Sequence, residues 1–287
     1  MLEVNHITKS FRRKKVLENI SCRLEAKTYG LLGSNGAGKT TFLRCIAGLY
    51  ALDQGDILWK GTSISGSKEY TSKIGYLPQK FEGLKELTVK ECLEFFGDMK
   101  EMENSELEKE ITRVLAMVNL EEFFNRRVKT LSGGMIRRLG IAQAIMNYPE
   151  ILIFDEPTAG LDPEERLRFK NLVMHLQSKK LIIISTHIVD DIEVLCDEII
   201  VLDSGRLLGV FTPEMLIKKA RGKVYEVDES ELLNIKGDYK VIKEYRVDQS
   251  VKIRILTEEV QNFETIEPTI EDGYLWIKAN ALSMEKG

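Results

Sequence analysis

The run Gly33-Ser34-Asn35-Gly36-Ala37-Gly38-Lys39-Thr40 sets glycines, a lysine and a hydroxyl at the spacing that cradles phosphate. Glycines let successive backbone N–H groups turn inward around an anion, and a helix that follows adds its positive end. Lys39 would meet the outer phosphates, Thr40 would ligate magnesium and Thr41 would close the phosphate-contacting run, so ATP or GTP binding is implied. A second element, Ile151-Leu152-Ile153-Phe154-Asp155-Glu156, ends an apolar run with two carboxylates. Asp155, at the end of a buried strand, would stand beside the metal, and Glu156, one residue on and on another face, would accept a proton from an attacking water.

These groups need a strand, a glycine loop and a helix in that order. Residues 29–32 form a short apolar strand, the glycine loop follows, and Phe42, Ile46 and Leu49 carry a helical pattern. Residues 151–154 and 181–184 are continuous apolar runs bounded by polar residues, as expected of central parallel strands covered on both faces. Between them a helix is capped by Asp162, has Pro163 at its first position and Glu164 and Glu165 in its first turn, and buries Phe169, Leu172, Val173 and Leu176. Upstream, residues 2–7 and 16–24 read as an antiparallel ribbon, with the basic run Arg12-Arg13-Lys14-Lys15 as its solvated turn. Residues 87–148 are helical in pattern, with Leu93, Phe96, Ile111, Val114, Leu115 and Val118 on buried faces. After Thr186 a short helix, a strand over 198–202, a turn at Asp203-Ser204-Gly205 and a return strand over 206–211 extend the sheet. Beyond about Lys219 short alternating segments at 223–227, 240–247 and 251–257 predict a strand-rich accessory domain. The division is therefore 1–218, with a helical subdomain over about 80–148, and 219–287.

Composition narrows the partners. A net charge of -4, from 41 basic and 45 acidic residues, gives no basic excess for nucleic acid, so none is expected. Cys22, Cys45, Cys92 and Cys196 lack metal or disulfide spacing and read as buried thiols in a reducing compartment, with no secretory leader ahead of them. No apolar run approaches the roughly 18 residues of a spanning helix, so membrane work would pass through a partner.

Leu131-Ser132-Gly133-Gly134-Met135, about twenty residues before the acidic pair, resembles the signature motif of ABC (ATP-binding cassette) proteins. The resemblance covers about residues 1–211 and implies an α/β P-loop NTPase fold with a parallel core sheet, an N-terminal antiparallel β subdomain and an inserted helical subdomain, followed here by the small strand-rich C-terminal domain. Gln79 resembles the Q-loop glutamine that senses phosphate and magnesium, Ala159-Gly160-Leu161-Asp162 the D-loop, His187 the switch histidine and Phe11 the aromatic that stacks on adenine. Magnesium would thus be held by Thr40, Gln79 and Asp155, with Glu156, His187 and Gln79 as the catalytic set. Ser132, Gly133 and Gly134 would serve the ATP of a second cassette, so that two cassettes sandwich two nucleotides head to tail. Met135 departs from the glutamine that usually ends the signature.

The single cassette, the run from His187 to Glu193 and the tail from Glu267 to Trp276 resemble exporter ATPases that pair with separate integral membrane permeases. The resemblance implies ATP hydrolysis coupled to transport, at the cytoplasmic face of the cell membrane and peripheral through the permease. Phe81, Leu84 and Leu87 form an apolar cluster expected to line a groove for a permease helix. The alternative is a soluble cassette acting on ribosomes or DNA; such relatives carry paired cassettes or a long coiled coil, neither of which is present here.

Overall fold

In the computed structural model, which describes residues 1–177, 179–247 and 250–284, the N-terminal alternation becomes strand β1 (Leu2–Phe11), paired antiparallel with β2 (Lys14–Leu24). The strand runs past Ile7 because His6, at φ 51°, sits in a register shift that places Ile7 and Thr8 both on the buried side. That bulge breaks the alternation by which residues 2–7 alone were predicted. Arg12 and Arg13 make the turn, and all four basic residues are exposed. Next, β3 (Thr28–Leu32) runs into α1 (Lys39–Ile46), and the chain returns as β4 (Gln54–Trp59) and β5 (Thr62–Ser63) to give a sheet of order β2-β1-β4-β5.

A short helix α2 (Lys68–Ser72) then leads to β6 (Ile74–Leu77), a strand that four residues of sequence did not announce. Helices α3 (Val89–Met99), α4 (Asn104–Met117) and α5 (Gly133–Ile145) follow and pack on one another, with Leu93, Ile111, Val114, Leu115 and Leu139 buried. The start of α3 carries a reciprocal cap between Thr88 and Glu91. Helix α5 lies against β6 so closely that a Cβ at Gly75 would overlap the Ala144 carbonyl.

Strand β7 (Ile151–Asp155), helix α6 (Pro163–Leu176), strand β8 (Leu181–Ser185), helix α7 (Val189–Leu195), strand β9 (Glu198–Asp203) and strand β10 (Arg206–Phe211) complete the second sheet, ordered β10-β9-β3-β8-β7-β6. Its central pairings are parallel, and β3, β7 and β8 are buried at every residue, which is why they read as unbroken apolar runs. Helix α6 starts as its sequence requires: the Asp162 carboxylate accepts the Glu165 N–H at 2.9 Å, and Phe169, Leu172, Val173 and Leu176 are buried.

The chain divides into two compact units, Met1–Leu207 and Leu208–Gly287. In the second, α8 (Pro213–Ala220) precedes β11 (Val224–Asp228), β12 (Tyr239–Val247) and β13 (Ser250–Thr257), an antiparallel sheet of order β11-β13-β12 over a core of Tyr225, Val227, Ile253 and Ile255. The tail is helical rather than extended: α9 (Ile270–Met284) crosses α8 where a Cβ at Gly273 would meet the Leu216 carbonyl. Among the described residues no helix is long and apolar enough to cross a membrane.

Candidate nucleotide-binding and hydrolytic site

At the C-terminal end of β3 the chain leaves the sheet through residues 33–38 and enters α1 at Lys39. Gly36 and Gly38 have φ of 81° and 102°, and a Cβ at Gly33 would overlap the Leu202 carbonyl, so the loop requires glycine for conformation at two positions and for space at the third. Residues 203–205 brace it: Ser34 Oγ donates to Asp203 Oδ1 at 3.1 Å and the Gly205 N–H donates to the Ala37 carbonyl at 3.0 Å. Lys39 is buried, its ammonium donating to the Gly33 carbonyl at 2.7 Å. Burial pushes its pKa below the usual lysine value, while Glu156 and then Asp155 pull it back up.

Parallel pairing of β7 with β8 brings the acidic pair and His187 together. Asp155 is wholly buried at the end of β7; its Oδ1 accepts from Ser185 Oγ at 2.6 Å, while Oδ2 has no hydrogen-bond partner among the described residues. A buried acceptor left in this way calls for a cation or a water, and an oxygen donor set of carboxylate and threonine hydroxyl suits magnesium. Glu156 turns the chain at φ 50°, a left-handed conformation that non-glycine residues adopt sparingly and that gathers at functional sites. Its N–H donates to the Ser185 carbonyl at 3.1 Å and to Ser185 Oγ at 2.9 Å. The carboxylate stands 3.8 Å from the Lys39 ammonium through Oε1 and 2.8 Å from His187 Nδ1 through Oε2. Glu156 is 7% exposed, whereas the His187 side chain is 57% exposed and free to meet a ligand.

The remaining expected residues gather elsewhere in the first unit. Ser132 is the N-cap of α5, accepting the Met135 N–H at 3.2 Å, and Gly133 and Gly134 open the helix with Gly133 exposed to open space. Gly133 shares a groove of about 310 Å³ with Gln79, Phe81, Arg137, Ala159, Gly160 and Leu161. The Gln79 side chain is exposed there, in the loop leaving β6. Phe81 lines the groove and also packs on Phe96, 6.1 Å between ring centres, whereas Leu84 and Leu87 lie half-buried in the loop stitched to residues 128–129. Phe11 is 41% exposed and meets Tyr50 edge-on at 5.2 Å; the Tyr50 hydroxyl accepts from Arg44 of α1, which ties the ring to the helix behind the phosphate loop.

Two residues of the site escaped sequence reasoning. Ser185 ends an otherwise aliphatic buried strand, and that lone hydroxyl was a signal available in the sequence. Arg137 is 8% exposed on α5 and donates to five carbonyls: Nε to Pro157 at 3.0 Å, Nη1 to Pro78 at 2.8 Å and Gln79 at 3.1 Å, Nη2 to Asp155 at 2.8 Å and Glu156 at 2.5 Å. Burial lowers its pKa from the usual guanidinium value, and the neighbouring Asp155 and Glu156 charges oppose that.

Comparison with known proteins shows the family. The ABC transporter family model matches residues 17–159. The linearmycin resistance ATP-binding protein LnrL of Bacillus subtilis (strain 168) is 36% identical over 225 residues, spanning 77% of this chain and 72% of that protein. The Nod factor export ATP-binding protein I of Rhizobium meliloti (strain 1021) is 39% identical over 80% of this chain and 71% of its own length. The ABC transporter ATP-binding protein YhaQ of Bacillus subtilis (strain 168) is 30% identical and matches almost end to end, 96% of this chain and 97% of the other. Among solved structures, a dimeric post-hydrolysis ATP-binding cassette bound to ADP and Pi superposes with a TM-score of 0.68 at 26% identity, over 74% of this chain and 98% of that one.

Proposed function

The chain belongs to the ABC transporter family as an ATP-binding subunit, and from that premise we propose that it hydrolyses ATP to drive an exporter, paired head to tail with a second cassette and held at the cytoplasmic face of the membrane by a separate permease. The observation that carries hydrolysis is the placement of Glu156, buried between the Lys39 ammonium and His187 in a left-handed turn.

In this reading residues 33–41 wrap the phosphates, and Lys39 exchanges the Gly33 carbonyl for the outer phosphate oxygens. Phe11 offers its exposed face to the adenine. Thr40, Asp155 and Gln79 would hold magnesium, which when bound neutralises charge on the phosphates; the partnerless Asp155 Oδ2 supports that assignment. Glu156 takes the proton from the attacking water, and His187, held at 2.8 Å, orients the water and donates to the transferred phosphate. Ser132, Gly133 and Gly134, at the open N-terminus of α5, reach the nucleotide of the second cassette, with Asp162 and its loop along the same seam. The likeness to a dimeric cassette bound to ADP and Pi supports this pairing, and the relatives named for export and resistance support the direction. The groove at Gln79 and Phe81 receives the permease.

Glu156→Gln in the purified protein tests the chemistry: turnover of Mg-ATP should fall about 10²–10⁴-fold with nucleotide binding retained. A variant as active as the parent would remove Glu156 from its role. Capture of the tagged chain from detergent-solubilised native membranes tests the setting. A polytopic membrane protein in stoichiometric amount is the expected partner, and ribosomal or DNA-associated proteins in its place would overturn the transporter reading.

A further inference from the structure

Arg137 spends every donor it has on backbone. A guanidinium carries five N–H groups, and here each meets a carbonyl, with none directed to a carboxylate. The adjacent acids are engaged elsewhere: Asp155 Oδ1 with Ser185, Glu156 with His187 and Lys39. An arginine serving only to neutralise charge would pair with those carboxylates, but this one leaves them to their own partners and grips the main chain that carries them.

The three successive carbonyls of Asp155, Glu156 and Pro157 converge on one fork. In a continuing strand adjacent carbonyls point to opposite sides, so convergence needs a break, and the left-handed Glu156 at φ 50° supplies it. The same fork holds Pro78 and Gln79, where the chain leaves β6 for the groove. Arg137 itself sits one turn into α5, whose first residues are the signature glycines.

We propose that Arg137 is a positioning residue, which fixes the Glu156 carboxylate for hydrolysis and makes its placement depend on where α5 lies. This rests on the hydrolytic role proposed above for Glu156. Through one side chain, engagement of the signature by the second cassette, or of the Gln79 loop by the permease, is passed to the group that activates water. Lysine cannot replace the fork, because its ammonium offers three donors from a single point rather than five in a plane.

The test compares Arg137→Lys and Arg137→Met with the parent chain, by steady-state ATP turnover, by affinity for a fluorescent ATP analogue and by amide hydrogen exchange. A misplacement of about 1 Å in a reacting group costs on the order of 10²-fold in rate. Arg137→Met should therefore lose kcat on that order and Arg137→Lys on the order of 10-fold. KM and analogue affinity should hold within about twofold, since the phosphate loop is untouched. Exchange should quicken at residues 155–159 and stay unchanged at residues 37–42. Parental kcat in both folded variants would overturn the proposal, as would loss of kcat and nucleotide affinity in parallel, which marks general collapse. Should the parent bind the analogue yet turn over no ATP, the hydrolytic reading falls by itself. Exchange in Arg137→Met then still decides the link: unchanged protection at residues 155–159 refutes it.

Discussion

Replacing Ser185 by alanine isolates the support beneath the acidic pair. The hydroxyl donates to Asp155 Oδ1 at 2.6 Å and accepts the Glu156 N–H at 2.9 Å, both wholly within the core. The Glu156 N–H retains the Ser185 carbonyl at 3.1 Å, so that side of the loss is small. Asp155 fares worse. Its Oδ2 has no partner among the described residues, and without Ser185 the buried carboxylate keeps no hydrogen bond at all. A hydrogen bond to a charged group contributes about 1.5–3 kcal/mol, and an orphaned buried charge draws the upper half of that range, roughly 2–3 kcal/mol. For a unit of this size 1 kcal/mol moves Tm by about 2–4 °C, so the first unit should melt about 4–12 °C lower. Saturating Mg-ATP should narrow the gap, because in the proposed site a cation would then meet the orphaned oxygens. Differential scanning fluorimetry with and without Mg-ATP reads both effects, with Ser185→Thr keeping the hydroxyl as control. A Tm within about 1 °C of the parent would show that Ser185 does not hold Asp155.

Removing the His187 ring, bonded to Glu156 at 2.8 Å, by His187→Ala should lower kcat by about 10²–10³-fold in a phosphate-release assay while leaving ATP affinity unchanged; an unaltered kcat would sink its assignment. At Gly75 a methyl group would overlap the Ala144 carbonyl and approach Leu152 Cδ2 at 2.8 Å, so Gly75→Ala should cost about 1–3 kcal/mol, seen as an earlier urea midpoint with unchanged slope. Lys100 donates to the Met146 carbonyl at 2.8 Å, and burial holds its pKa down to about 8 from 10.5. Between those values the unfolded chain binds the extra proton, so this residue's contribution to stability rises with pH across the window. Parent minus Lys100→Met unfolding free energy should accordingly climb by roughly 3 kcal/mol from below pH 8 to above pH 10, and a flat difference would refute the burial argument.

The elements proposed to bind phosphate were legible because their requirements are local. Glycines at 36 and 38 serve backbone shape and Gly33 serves space, and the apolar runs of β7 and β8 follow from burial on both faces. The cap and stripe of α6 were equally plain, since Asp162, Pro163 and the 3–4 spacing of its apolar residues all lie within one segment. What escaped depends on distant partners. Strand β6 is four residues whose place is set by β7 and by the backbone of α5 pressed on Gly75. Arg137 bonds only to carbonyls, which every residue type offers, so no pairing pattern in the sequence marks it. Helix α9 is apolar on too many sides to show a helical period, and its start is fixed by Thr269 and Asp272 hydrogen-bonding to each other. Bringing Glu156, Lys39 and His187 together needs the strand order of the sheet, which the motifs do not dictate.

The close fit of Gly75 under Ala144 gives α5 a fulcrum. Near that end the helix is held by the sheet and by Arg113 and Lys100, which bond the carbonyls of Ile145 and Met146. Measured from Ala144 at 1.5 Å per residue, Arg137 lies about 10 Å along the arm and Gly133 about 17 Å. A tilt of about 5° would then swing the signature by roughly 1.5 Å and Arg137 by roughly 0.9 Å, as the helix rise dictates. The arm is geared: with Arg137 in its proposed role, motion at the tip would arrive at the Glu156 turn reduced to a little over half, on the order of the roughly 1 Å misplacement that costs a reacting group about 10²-fold in rate.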